Sequence, residues 1–178
     1  MEILAIAGSL RLASSNVALV HAIAKLAPQN MTVNLYSGLG NLPHFSPDID
    51  TEDPPASVQQ WRQQVKDADA VFICTPEYAY GMPGSLKNAL DWLVSSGDLY
   101  HKPVAALSAS PYEGGGDRAL AWLCQTLTAQ NAIVPPEATF PVPFVRKQLS
   151  DDTITDPQMV KQLLLMFEAL KKAASSDV

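Results

Sequence analysis

The feature that most limits what this chain can fold into is its alternation of two kinds of segment. Short apolar runs bounded by turn residues are followed, again and again, by stretches of helical periodicity. Residues 3–7 read as a strand and 16–27 as a helix, with Leu19, Ile23 and Leu26 on one stripe and a stop at Pro28. Residues 31–36 alternate, with Met31, Val33 and Leu35 on one face of a second strand. Residues 37–56 form a loop rich in Gly, Pro and Asp, long enough to expect function or mobility there. The pattern predicts a helix over 57–68 with Ser57 as its N-cap, then a continuous apolar run over 70–75, as a strand covered on both faces requires. A helix over 84–95 carries Leu86, Leu90, Leu93 and Val94 on one stripe. A strand over 104–108 and a helix over 118–128 follow, the helix turning Leu120, Leu123, Cys124 and Leu127 inward. Residues 132–140 read as a fifth strand, with Pro135 and Pro136 marking an edge or an interruption. A helix over 160–170 closes the pattern, and residues 175–178 read as a frayed tail.

Strand–helix alternation of this kind implies a parallel sheet with helices on both faces. Five strands favour the flavodoxin-like order 2-1-3-4-5, a doubly wound α/β fold whose switch point lies between the first and third strands. A length of 178 residues suits one such domain spanning 1–178, and 47% hydrophobic residues supply its core. Only 17% of residues are charged, too few for a disordered chain.

The charge balance narrows the partners. The net charge is −6 and no Lys/Arg run occurs, so a nucleic-acid face is not expected. No apolar run approaches the length needed to span a membrane, and residues 1–8 lack the basic start of a signal peptide. Cys74 and Cys124 are far apart with no metal-type or CxxC spacing, which predicts two buried, reduced thiols and a cytoplasmic setting.

In a doubly wound sheet, ligands bind beyond the carboxyl ends of the strands at the switch point. The loop after the first strand, residues 8–16, offers Gly8 for a tight turn, hydroxyl or amide groups on Ser9, Ser14, Ser15 and Asn16, and the charged fork of Arg11. It ends where a helix begins, so main-chain N–H groups complete a cup suited to a phosphate monoester. Capping by Ser14 or Ser15 accounts for one hydroxyl but leaves Ser9 and Arg11 unexplained. The GxGxxG dinucleotide pattern is absent, the second strand ends in Tyr36-Ser37 rather than an acid, and GxxxxGK[ST] is missing.

The loop after the third strand, from Thr75 to Gly84, holds two prolines and two glycines that fix an unusual path, and its tyrosines offer flat walls. Lys87 and Asp91 have the spacing of a helix-surface ion pair, and Trp92 reads as core or subunit-interface packing. The loop after the fourth strand carries Gly114, Gly115 and Gly116, which allow close backbone approach and make a third wall. His21, His44 and His101 have no Ser, Cys or Asp partner at a catalytic spacing, and no GxSxG or HExxH occurs. A site without an acid–base dyad suits a cofactor that performs the chemistry itself.

Gly8-Ser9-Leu10-Arg11 with Ser15-Asn16, and Pro76-Glu77-Tyr78 followed by the run from Gly84 to Trp92, resemble the NAD(P)H-dependent FMN reductase family, nearest its quinone, chromate and azo-dye branch. Leu42-Pro43-His44-Phe45 with Asp48, and Gly115-Gly116-Asp117-Arg118, are similar to two further family motifs. The resemblance implies an oxidoreductase, a flavoprotein holding the FMN phosphate with Ser9, Arg11, Ser15 and Asn16 at the helix start that includes Val17. It implies ring and ribityl contacts from Pro76, Glu77, Tyr78 and Ala79, with Ser110 near the polar edge of the ring. NADPH or NADH is then the cosubstrate, a small molecule the electron acceptor, and a homodimer or homotetramer the assembly. Family members often carry Asn where this chain has Ala79, so a side-chain amide contact there is lost.

The expected reaction is ping-pong: hydride passes from the nicotinamide to the flavin, and a quinone, azo compound, chromate or free flavin then takes the electrons. No side chain is expected to act as a catalytic acid or base. The rivals are a flavodoxin-like electron carrier that leaves nicotinamide unoxidised, and a binding domain with an altered pocket.

Overall fold

A computed structural model describes residues 1–11, 13–151 and 153–175. The parallel sheet has the order β2-β1-β3-β4-β5. Its strands are β1 (Glu2–Ala7), β2 (Thr32–Tyr36), β3 (Ala70–Thr75), β4 (Val104–Ala109) and β5 (Thr139–Val142). Between them run α1 (Ser15–Leu26), α2 (Ala56–Asp67), α3 (Gly84–Asp91) and α4 (Asp117–Ala129). After β5 come a short helix α5 (Val145–Gln148), a small antiparallel hairpin of β6 (Leu149–Ser150) and β7 (Thr153–Ile154), and the last helix α6 (Pro157–Ala174).

The two-residue period of the strands divides the core. Leu4, Ile6, Val71 and Ile73 face one side, where α2, α3 and α4 cover them through Trp61, Leu90 and Leu123. Ile3, Ala5, Phe72 and Leu107 face the other, under α1 and α6. Every residue of β3 and β4 is buried, which is why β3 reads as an unbroken apolar run. Trp92 is part of this core.

Several expected boundaries move, each for a physical reason. α2 begins at Ala56 after Pro55, so Ser57 lies inside the helix and is not its cap. α3 stops at Asp91; Leu93 stays buried in the turns that follow, but Val94, expected on the same stripe, is exposed, because the helical period no longer applies beyond Asp91. The fifth strand is only Thr139–Val142, because a 3-10 turn over Pro136–Ala138 breaks the expected run and only Ile133 bridges to Pro103 before it. Cys124 is half-buried on α4 rather than buried. The frayed tail expected over 175–178 lies outside the described residues from 176 onward, while the N–H of Ser175 still bonds back to the carbonyls of Lys171 and Lys172.

The loop between β2 and α2 contains 3-10 turns over Leu39–Asn41 and Pro47–Ile49 and is pinned to α3. The Asn88 amide donates to the carbonyl of Pro43 at 2.9 Å and accepts the N–H of Phe45 at 2.8 Å. The Trp92 indole N–H donates to the same carbonyl at 2.9 Å. Arg62 holds the far end, donating to Asp50 at 2.8 Å and to the Trp92 carbonyl at 2.7 Å.

Candidate functional site

The loops after β1, β3 and β4 meet at the carboxyl edge of the sheet. Gly8 crosses close to the neighbouring strand: its N–H donates to the Cys74 carbonyl at 2.8 Å, and a Cβ there would lie 2.9 Å from Leu86 and 3.2 Å from the Thr75 hydroxyl. The buried Ser9 hydroxyl accepts the N–H of Arg11 at 3.2 Å and lies 3.4 Å from the Tyr78 hydroxyl. That contact joins the first loop to the third. Arg11 itself is exposed, and Leu12 lies outside the described residues.

Helix α1 starts at Ser15, with the Ser14 hydroxyl accepting the N–H of Asn16 at 3.2 Å. The first-turn N–H groups, which include those of Ser15 and Val17, have no carbonyl within the helix to bond and carry the positive end of its dipole. The Asn16 side chain turns inward. It donates to the Ala109 carbonyl at 3.2 Å and accepts from the Cys74 thiol at 3.1 Å. Burial pushes the Cys74 thiol well above its ordinary pKa, so it stays protonated and able to donate.

Pro76 is buried and its carbonyl accepts from the Thr75 hydroxyl at 2.9 Å. The Glu77 carboxylate accepts the N–H groups of Arg118 and Ala119, each at 3.1 Å. It thereby caps α4, whose own N-cap, Gly116, has no side chain to do so and sits at φ +87°. Beyond Glu77 the chain makes a two-residue hairpin, with paired bonds of 2.9 and 3.0 Å between Tyr78 and Gly81. Its central residues Ala79 and Tyr80 have φ of +48° and +66°, the signature of a type I′ turn. Tyr78 is 53% exposed. The Arg118 guanidinium lies 4.1 Å from the Tyr80 ring, and the Trp122 ring packs against Gly81.

From the fourth loop, the buried Ser110 hydroxyl accepts the N–H of Tyr112 at 3.2 Å, and its main chain is tied to Val142 and Val145. The structure thus places Ser9, Asn16, Pro76, Glu77, Tyr78 and Ser110 in the loops and helix start at the carboxyl edge of the sheet, with Ser9 and Tyr78 in direct contact and Arg11, Tyr78 and Ala79 exposed. The Lys87–Asp91 ion pair forms as its spacing predicts. Sequence reasoning missed the structural work of Cys74, and of Asn88 and Trp92, which anchor the second loop. Among the described residues no cluster of His, Cys, Asp and Glu could hold a metal, and no helix is long and apolar enough to cross a membrane.

A family model described as NADPH-dependent FMN reductase matches residues 1–147. The chain is 34% identical over 156 residues to a quinone reductase of Escherichia coli (strain K12), covering 86% of this chain and 83% of that one. It is 37% identical over 129 residues to an NAD(P)H-dependent FMN reductase of Pseudomonas aeruginosa, covering 71% and 69%. Among solved structures it is similar to FerB, a flavoenzyme NAD(P)H:(acceptor) oxidoreductase from Paracoccus denitrificans, with a TM-score of 0.84, 28% identity, and 98% and 97% of the two chains covered. A flavodoxin from the domain Archaea shares the fold, with a TM-score of 0.64 at 14% identity.

Proposed function

Since this chain belongs to the NADPH-dependent FMN reductase family and is an NAD(P)H-dependent oxidoreductase using FMN, we propose that it reduces quinones by a ping-pong route, with azo compounds, chromate or free flavin as further acceptors. The residues fit the cofactor. A buried hydroxyl, an exposed cation and a helix start make a cup for a phosphate, and the Tyr78 hairpin beside it makes a flat wall. Ser9, Arg11, Ser15 and Val17 would hold the phosphate end, while the expected Asn16 amide contact is not available, because that amide faces inward to Ala109 and Cys74 and positions the helix start instead. Pro76, Glu77, Tyr78 and Ala79 would line the ring, with Ser110 at its polar edge. When bound, FMN supplies the acceptance and release of hydride. The chain orients the reactants, an effect that can be worth roughly 7–11 kcal/mol, and fixes N–H donors before reaction.

The observation that carries this reading is the 3.4 Å approach of Ser9 to Tyr78, which brings the two loops of the candidate cleft into contact. If both substrates share the exposed surface beside Tyr78, the oxidised nicotinamide has to leave before the acceptor enters. The exposed aromatic rings of Tyr80 and Trp122 beside the cleft support a second copy of the chain docking there, as a homodimer or within a homotetramer. The unpaired thiols of Cys74 and Cys124 support a cytoplasmic setting. Initial rates with NADH or NADPH against a benzoquinone should give parallel double-reciprocal lines. Intersecting lines end the ping-pong proposal, and nicotinamide left unoxidised returns the electron-carrier reading. Arg11→Ala should weaken FMN binding by about 1.5–3 kcal/mol if its guanidinium meets the phosphate.

A further inference from the structure

We propose that Cys74 and Asn16 form a buried clasp that closes the loop after β1 at both ends and so sets its grip on a phosphate. The inference rests on the use of that loop for the FMN phosphate. Cys74 stands near the carboxyl end of β3 and holds both ends of residues 8–16. Its carbonyl accepts the N–H of Gly8 at 2.8 Å, and its thiol donates to the Asn16 amide oxygen at 3.1 Å. The other end of the Asn16 amide donates to the Ala109 carbonyl of β4 at 3.2 Å.

The two bonds fix the direction of the amide. A main-chain carbonyl can only accept, so the NH₂ faces Ala109 and the oxygen faces the thiol. Asn16 is 4% exposed and Cys74 0% exposed, so neither bond competes with water. Asn16 is also the second residue of α1. Fixing it against β3 and β4 fixes the helix start, and with it the direction of the N–H groups that meet an anion. Cys74 is therefore a hydrogen-bond donor in the scaffold, and Asn16 a positioning residue whose side chain acts through the loop.

The clasp should act on the phosphate end of the ligand and leave the ring end alone, which separates it from a general packing role. The test measures binding of FMN and of riboflavin, which lacks the phosphate, to the flavin-stripped full chain by fluorescence quenching. Wild type is compared with Asn16→Ala, Asn16→Asp, Cys74→Ala and Cys74→Ser, alongside thermal unfolding without flavin. Wild type should prefer FMN. Asn16→Ala and Cys74→Ala should each narrow that preference about tenfold, the loss expected from one buried bond that positions a charged contact. Asn16→Asp should narrow it at least as much, because a carboxylate facing the Ala109 carbonyl has no hydrogen to give. Cys74→Ser should keep the preference, since a hydroxyl donates where the thiol did. The double Ala variant should be no worse than the poorer single.

An unchanged preference in both Ala variants overturns the clasp, as does a Ser variant that loses as much as the Ala variant. If Asn16→Ala does not fold, the Cys74 pair, which differs by one donor atom, decides alone. A wild-type chain that binds riboflavin as tightly as FMN removes the phosphate reading itself, a result distinct from equal ratios across variants of a chain that does prefer FMN.

Discussion

The longest loop of the molecule and the loop beside the candidate cleft spend their polar groups in opposite ways. The loop between β2 and α2 turns them inward. Pro43, Phe45 and Asp50 are bonded to Asn88, Trp92, Ser95 and Arg62, and the Phe45 ring meets Trp92 edge-on at 5.1 Å. The loop after β3 is hydrogen-bonded to its surroundings at its base, by Glu77 on α4 and by the Ser9–Tyr78 contact, while its tip meets α4 through the rings of Tyr80 and Trp122. Tyr78 and Tyr80 are exposed, and Ala79 and Tyr80 form a left-handed turn. Length alone therefore does not mark the exposed surface here. The long loop is bonded down against α3 and Arg62, and the short one carries the exposed tyrosines.

Breaking the scaffold should have the largest effect. Arg62→Ala removes the charged partner of Asp50 and of the Trp92 carbonyl, both shielded from solvent, and should lower stability by about 2 kcal/mol. Urea unfolding checks it. The preference for FMN over riboflavin should stay as in wild type, and a matching loss of that preference would make the long loop part of the site.

The same network sets an acid response. Burial pushes the Asp50 carboxyl up, but the hydrogen bonds from Ser95 and Arg62 and the Arg62 charge outweigh it and hold the group below its ordinary 3.8. A depressed folded value means that the stabilisation is complete above the unfolded value and is lost as pH falls through the folded one. Wild type should therefore lose stability more steeply than Asp50→Asn below about pH 4, in urea titrations across that range. Equal slopes would show that the Asp50–Arg62 pair does not hold the loop.

The sequence made the scaffold legible wherever burial alone decides. The unbroken apolar run of β3 and the stripes of α1 and α4 need no information beyond their own residues. The order of the strands follows from their number and from the alternation. The candidate site was legible only as two polar loops at the switch point, which the structure brings into contact through Ser9 and Tyr78; the anion they point to is an expectation from hydroxyls, an Arg and a helix start within nine residues. What stayed hidden depends on partners distant in the chain. Nothing near Asn16 shows that its amide faces Cys74 and Ala109, and nothing near Asp50 shows Arg62. Leu93 stays buried although α3 has ended, while Val94 is exposed, so periodicity overran the boundary. Ala79-Tyr80 carries no sequence signal for a left-handed turn, since that conformation favours Gly and Asn.

At the base of the short loop, Glu77→Ala leaves the Ala119 N–H of α4 without its acceptor, while the Arg118 N–H keeps the Asp117 carboxylate at 2.9 Å, and should lower stability by about 1 kcal/mol. Glu77→Gln keeps an acceptor and loses only the charge at the helix start, so it should cost a few tenths of that unit. Thermal unfolding of the two variants separates capping from charge. Equal losses would mean that the carboxylate acts through its charge alone.

The smallest effect is expected at the tip, and it has the opposite sign. A residue other than Gly in the left-handed region carries a cost of about 1–2 kcal/mol, and Asn tolerates that region better than Ala. Ala79 stands at φ +48° with an exposed side chain, so replacing it removes no buried contact. Ala79→Asn should raise stability by about 0.5 kcal/mol, less than the full cost because the exposed turn can partly relax. Ala79→Val, branched at Cβ, should lower it. Urea unfolding of both variants reads the sign. If Asn stabilises and Val destabilises, the chain holds the tip left-handed against its own local preference, and the fixed geometry of Tyr78 and Tyr80 is imposed by the bonds between residues 78 and 81 and by Arg118. If both are neutral, the tip is free to change shape in solution, and the contrast between a fixed long loop and a fixed short one becomes a contrast between a fixed loop and a moving one.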